Sequence, residues 1–317
     1  GIGGLTAALA LLKEGIDVSI FEQAPKLGEI GAGFQMSANG TRVLSYLGLT
    51  AAMKSIAWQP EGKEIRIWNS GQTWKLFDLG AESVERYGFP YLMFHRADLH
   101  RLLVAAVQAE KPDAILLDSF CISCDQNEDE VILHVANKED VVGNALIGAD
   151  GTHSKIRQSL YGEENKEFSG LMAWRGIIDV NDLPDGTLKS VGTNWVGPGG
   201  HVVHYCVRNG ELLNFVGIRE RSDWKVESWT ARGTREECLS DFRGWHDTIQ
   251  TMIRNIHRPY KWALMRREPM ERWTKGRITL LGDACHTMVS MLAQGVVMAV
   301  EDGMVLARCV KSFGTNI

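Results

Sequence analysis

Gly1-Ile-Gly-Gly4 runs without a break into Leu5-Thr-Ala-Ala-Leu-Ala-Leu-Leu12, and Ile16 to Phe21 then alternates apolar and polar up to Glu22. Few folds accept that order. Gly1 and Gly4 fit the second and third glycines of a G-x-G-x-x-G turn, with Gly3 between them equally bare. Such a turn lets the backbone approach a pyrophosphate at a helix N-terminus and lets the helix pack close to its strand. Glu22, 18 residues after Gly4, stands where a strand-end carboxylate accepts hydrogen bonds from a ribose. The first glycine and the strand before it lie outside the chain, which also stops directly after a helix, so it reads as truncated at both ends.

The strand–turn–helix plan returns twice. Ala145 to Gly148 reads as a strand leading into Asp150-Gly151, with Ser154 and Arg157 in the helix that follows. Ile278 to Leu281 is a short apolar run broken by Gly282-Asp283, with a helix expected over Ala299 to Cys309. Two acidic turns on two strands can both end at the ligand side of one open sheet. Between residues 168 and 265 the texture changes. Segments 173–178, 200–207 and 212–218 alternate like antiparallel strands, and six of the ten tryptophans fall here: Trp174, Trp195, Trp224, Trp229, Trp245 and Trp262. Each taken singly suits a core position; together they suit a domain walling an aromatic pocket. Thr234 with Glu237 three residues later is a capping box, predicting a helix from Thr234 to Trp245.

The fold class is therefore α/β. A Rossmann-like dinucleotide domain is built from residues 1–165 and 266–317, and an antiparallel-sheet substrate domain from 166–265. A net charge of −5 offers no general attraction to nucleic acid or an anionic membrane, and no apolar run approaches the length of a membrane span. Cys121-Ile-Ser-Cys124 has redox or zinc spacing, but no second pair accompanies it, so ordinary reduced thiols in a cytoplasmic protein are expected and no metal site.

Taken in order, the glycine fragment with Glu22, the Asp150-Gly151 turn and Gly282-Asp283 resemble the single-component FAD-dependent aromatic hydroxylases of the para-hydroxybenzoate hydroxylase type. Gly31-Ala-Gly-Phe-Gln-Met-Ser-Ala-Asn39, Ala173-Trp-Arg-Gly176 and Leu292-Ala-Gln-Gly295 look most like salicylate hydroxylases and 3-hydroxybenzoate 6-hydroxylases. The resemblance implies FAD as cofactor and NAD(P)H as co-substrate without a domain of its own. NAD(P)H reduces the flavin, O2 adds to it, and the resulting hydroperoxide hydroxylates a phenolic ring. By position, Gly1, Gly3, Gly4, Glu22, Gln35, Arg96, Asp150, Gly151, Gly282, Asp283 and Gly295 fall to the cofactor. His201 and Tyr205 match an active-site His and Tyr, and Gln294 a contact to substrate or flavin. Residues 201 and 205 share a strand face, whereas His204 looks away. A core-satisfied histidine is the alternative for His201, and a surface arginine that for Arg96. A homodimer is the expected assembly.

A single fingerprint argues against two-fingerprint disulfide reductases, and the absence of Trp-x-Trp-x-Ile-Pro against a flavin-dependent halogenase. Where the family continues Pro-Met-x-Pro after the Gly-Asp turn, this chain has Thr287-Met-Val-Ser290. Losing two fixed φ angles is expected to loosen a loop that presses on the flavin. Two competing readings remain: an epoxidase or hydroxylase of a larger polyketide- or indole-like substrate, and a flavin-fold remnant without activity.

Overall fold

The computed structural model describes residues 1–28, 32–163, 167–221, 223 and 231–314. Glu29, Ile30 and Gly31 of the glycine-rich loop, and Trp224 and Trp229, lie outside the described residues.

In chain order the first half contains α1 (Ile2–Lys13), β1 (Ile20–Phe21), β2 (Gly33–Met36), α2 (Ala38–Tyr46) and α3 (Thr50–Ile56). The hairpin β3 (Gly62–Ile67) and β4 (Thr73–Asp78) follows, then α4 (Ala81–Tyr87), β5 (Leu92–His95), α5 (Arg96–Glu110) and β6 (Ile115–Leu116). A small meander of β7 (Cys121–Gln126), β8 (Val131–Val135) and β9 (Val141–Gly143) leads to β10 (Leu146–Gly148) and α6 (Lys155–Tyr161). Long strands come next: β11 (Glu167–Asp179), β12 (Val191–Gly197), β13 (Gly200–Val207) and β14 (Leu212–Glu220). The chain closes with α7 (Arg235–Asp241), α8 (Asp247–Arg254), β15 (Tyr260–Arg266), β16 (Thr274–Lys275), β17 (Ile278–Leu280), α9 (Asp283–His286) and α10 (Gly295–Phe313).

Two parallel pairs stand apart from the large sheet: β1 with β6, and β10 with β17. α1 is apolar almost all round and is buried from Ile2 to Leu11, apart from Gly3 and Gly4, as a helix must be when it packs on several sides. α10 and α5 join it in one core with Leu9, Leu44, Phe94, Leu103 and Val300. The alternation predicted for residues 16–21 persists in the exposure pattern, with Ile16, Val18 and Ile20 more buried than Asp17 and Ser19. Only Ile20 and Phe21 are laddered, because β1 pairs with β6 alone among the described residues.

The second half is a seven-stranded sheet in the order β15-β11-β14-β13-β12-β3-β4. It is antiparallel except where β12 meets β3. The β3–β4 hairpin comes from far upstream of residue 166, yet it completes this sheet. One face packs on α7 and α8 through Trp174, Trp195, Phe215, Phe242, Trp245 and Ile253. As expected for each taken singly, Trp174, Trp195 and Trp245 are core, packed between the sheet and the helices. Trp262, on the other face, packs with Ala173, Ile218 and Leu264.

The capping box forms as predicted, with Glu237 N–H donating to Thr234 Oγ1 at 3.1 Å. The helix ends at Asp241 rather than Trp245, and a separate α8 begins after His246. Gly244, at φ +79°, sits in the break between them. α10 begins at Gly295, four residues before the predicted start, and the Gly282-Asp283 turn carries the single helical turn α9.

Candidate active site

The three turns predicted from sequence converge on one cleft of about 1950 Å³. Gly1, Gly4, Glu22, Arg96, Asp150, Gly151 and Asp283 all line it. The nitrogen of Gly1 lies 3.7 Å from Glu22 Oε2, so the helix N-terminus and the strand-end carboxylate stand side by side. Arg96 opens α5, its N–H held by Ala32 O at 2.9 Å. Part of the volume is an apolar slot between β1 and β10, walled by Ala7, Ala8 and Leu11 of α1 and Val310 of α10.

Gly3 does not face the cleft. A Cβ there would stand 2.7 Å from Leu281 Cδ2, so its role is close packing of α1 against the third turn. Gly282 adopts φ +63°, which favours glycine, and its N–H donates to Asp302 Oδ2 at 3.0 Å. The same carboxylate oxygen meets His286 Nε2 at 2.6 Å. Burial opposes a charged His286, but the hydrogen bond and charge of Asp302 outweigh it and hold the pKa above the ordinary imidazole value. Asp150 is occupied by its own helix. It accepts from Ser154 Oγ and from the N–H groups of Lys155 at 2.7 Å and Ile156 at 3.2 Å. Ser154 is the N-cap, accepting from Arg157 N–H at 2.9 Å. Arg157 donates from Nη1 to Ala284 O at 2.8 Å and from Nη2 to Thr152 O at 2.9 Å, lashing the second turn to the third.

His201 and Tyr205 project from β13 toward the sheet face opposite the helices, as the alternation predicts. Tyr205 clusters there with Met93 and Val207. His204 points the other way, accepts from Trp195 Nε1 at 3.0 Å, and is pushed down to about 3 by burial and the nearby Arg66 charge. Burial also lowers the His201 pKa, which favours the neutral imidazole. Tyr205 is held protonated by burial, against the pull of Arg175.

Gln294 and Gln35 tie other elements to this face. Gln294 Nε2 donates to Ser37 Oγ at 3.1 Å, just before Gly295 opens α10. Gln35 Oε1 accepts from Tyr91 Oη at 2.9 Å, and both residues belong to the β2–β5 ribbon region over the sheet.

Arg175 and Asn214 are the residues that sequence reasoning missed. Arg175 lines the cleft, lies over the Trp262 ring at 4.7 Å, and is depressed to about 10 by burial, with Arg96 adding to the depression and Tyr205 opposing it. Asn214 accepts from Gly33 N–H at 2.8 Å, while its Nδ2 is buried without a hydrogen-bond partner and also borders the cleft. An orphaned amide beside two arginines suits a polar, partly anionic ligand. The helix N-terminus, the ribose-level carboxylate and these donors fit a flavin dinucleotide.

The chain matches the family described as FAD binding domain over residues 1–313. It belongs to that family. It is 36% identical over 307 residues to the 3-amino-4-hydroxybenzoate 2-monooxygenase PtnB3 of Streptomyces platensis, covering 97% of this chain and 76% of that one. It is 34% identical over 315 residues to the 3-hydroxybenzoate 6-hydroxylase of Polaromonas naphthalenivorans, covering 98% and 77%. Klebsiella pneumoniae HpxO, solved with FAD and uric acid, superposes with a TM-score of 0.87 at 25% identity, over 98% of this chain and 78% of that one. This protein is accordingly an FAD-dependent aromatic-ring monooxygenase, with an aromatic substrate, O2 and a reduced nicotinamide as its small-molecule partners. Among the described residues no helix is long and apolar enough to cross a membrane.

Proposed function

We propose that this monooxygenase hydroxylates a phenolic aromatic acid of the 3-hydroxybenzoate or salicylate kind. One observation carries the reading: Asn214, which lines the dinucleotide cleft, is the cross-strand partner of Tyr205. This adjacency supports reading the cofactor cleft and the His201–Tyr205 face as one site. Bound FAD would supply the redox chemistry, taking electrons from NAD(P)H and passing oxygen from O2 to the ring.

The protein's part is positional and acid–base. Glu22 and the N-terminus of α1 hold the ribose and pyrophosphate end, while Arg96 and Asp283 flank the cofactor along the cleft. Neutral His201 takes the phenol proton, which makes the ring electron-rich. Tyr205, kept protonated, donates a hydrogen bond to the oxygen left behind. Met93 and Val207 keep the site dry around them. The exposed Trp74, Leu76 and Phe77 on the edge strand β4 support a homodimer, to be tested by light scattering. Six free thiols are in keeping with a reducing cytoplasm.

The test is NADH and NADPH oxidation by the FAD-saturated protein with 3-hydroxybenzoate, salicylate and buffer alone, with product analysis. Ring-stimulated oxidation yielding a dihydroxylated product is expected. Flavin binding with no response to any hydroxybenzoate overturns the reading.

A further inference from the structure

Lys63 is a buried cation that the chemistry above leaves unused. It sits on β3 of the seven-stranded sheet, and its neighbour Glu64 points to the opposite face. Glu64 is already engaged there by Arg66 Nε at 2.6 Å, Thr193 Oγ1 at 3.0 Å and Lys189 Nζ at 3.9 Å. Lys63 turns toward the ligand face. Its Nζ donates to Tyr91 Oη at 3.3 Å and stands 5.2 Å from that ring's centroid. Among the described residues no carboxylate reaches it. Burial lowers its pKa to about 8, which still leaves it mostly charged at pH 7.

A half-buried ammonium without a counter-ion is costly, and proteins pair such charges or reserve them for a ligand. Its surroundings are those of the proposed site. In the sheet register Lys63 pairs with Gly192, and Thr193 pairs with His204, so Gly192 stands beside Tyr205. Tyr205 in turn pairs with Asn214. Lys63, Gly192, Tyr205 and Asn214 therefore form one row across four strands. Tyr91 closes the row from above, donating to Gln35 and packing in the same cluster as Tyr205 and Met93.

We propose that Lys63, supported by Tyr91, is the anchor for the carboxylate of the aromatic-acid substrate and so sets the preference for acids over neutral phenols. This deepens the proposed function and rests on it. The ammonium meets the carboxylate by a charge-assisted hydrogen bond, while the phenol end of the ring is left to His201 and Tyr205. The carboxylate completes the ion pair that the fold withholds.

The experiment compares 3-hydroxybenzoate with 3-hydroxybenzamide, which keeps ring and phenol and removes the charge. Binding to the FAD-saturated protein is read by flavin absorbance and calorimetry. The wild-type protein is expected to bind the acid roughly ten- to a hundredfold tighter than the amide, the scale of one charge-assisted hydrogen bond. Lys63→Met is expected to abolish that ratio by weakening the acid alone, with amide affinity and FAD affinity kept, which also shows that the variant is folded. Equal affinities in the wild type, or a ratio unchanged in Lys63→Met, overturn the anchor while leaving the hydroxylase intact. A wild type that binds flavin but neither ligand overturns the proposed function itself.

Discussion

Arg157 Nη1 donates to Ala284 O at 2.8 Å, a bond between residues 127 apart in the chain that joins two turns. Its other arm holds Thr152 O, so one guanidinium fixes the Asp150-Gly151 turn against Gly282-Asp283. Both turns border the dinucleotide cleft. Replacing Arg157 with Met removes two charged hydrogen bonds and leaves buried carbonyls unsatisfied. A loss of roughly 2–4 kcal/mol is expected from such bonds, with FAD affinity falling at least tenfold because the two turns no longer move as one. Urea unfolding of the variant, with and without FAD, measures both. Full FAD affinity in a destabilised variant would show that the lash serves only stability.

The second prediction concerns the base. Since burial lowers the His201 pKa, the acidic limb of a kcat/KM profile is expected below the ordinary imidazole value. His201→Gln is expected to reduce ring-stimulated turnover by roughly a hundred- to ten-thousandfold, the usual range for a general base. Its acidic limb should vanish and FAD binding should stay unchanged. A variant retaining the same limb locates the titrating group elsewhere.

These two sites differ in how far they could be read beforehand. The face of His201 and Tyr205, and the opposite face of His204, followed from strand alternation alone, because a period of two leaves no freedom once a strand is recognised. The convergence of Glu22, Asp150 and Asp283 followed from three separate strand–turn motifs. Lys63 gave a local sign that went unread. Adjacent charges at Lys63 and Glu64 in a strand must face opposite ways, so a sheet covered on one side sends one charge toward a site. Arg175 stood inside the Ala173–Gly176 motif without a role assigned to it, and Asn214 gave no sign at all. The bond from Gly33 to Asn214 spans 181 residues, and nothing near either residue specifies it. Trp174, Trp195 and Trp245 were legible singly as core, but composition does not report which sheet face receives them. Asp150 was legible as a turn acid, but its engagement by Lys155 and Ile156 N–H depends on how α6 starts.

A third prediction is pH-linked. His286 has a folded pKa above its unfolded value, so the pair with Asp302 contributes fully below about pH 6.5 and fades as pH rises through the raised value. Asp302→Asn is therefore expected to lose most stability in acid, with a smaller deficit at alkaline pH. The amide oxygen can still accept from Gly282 N–H, which limits the deficit that remains. Thermal midpoints of wild type and variant between about pH 6 and about pH 9 give the comparison. A difference independent of pH would mean that the Gly282 contact, not the imidazole, carries the stabilisation.

The last prediction tests the departure at the Thr287–Ser290 loop. Thr287 has φ −52° and ψ 126°, a backbone that proline adopts without strain. Its hydroxyl, however, donates to Asp283 O at 2.6 Å and accepts from Arg267 Nη1 at 2.8 Å. Side-chain hydrogen bonds thus hold this position. Proline at 287 would gain about 0.4–1 kcal/mol by restricting the unfolded chain and lose two hydrogen bonds of about 1 kcal/mol each. The single change Thr287→Pro is accordingly expected to leave stability unchanged or slightly lower. Ser290→Pro added to it is expected to tighten the loop next to Ala293, which already carries φ +54° ahead of Gln294 and α10. The readouts are FAD dissociation and the fraction of NADH oxidation released as hydrogen peroxide. The double variant should retain FAD better and release less peroxide than the wild type. No change in either would show that Thr287, bonded to Asp283 and Arg267, already supplies all the rigidity the loop needs.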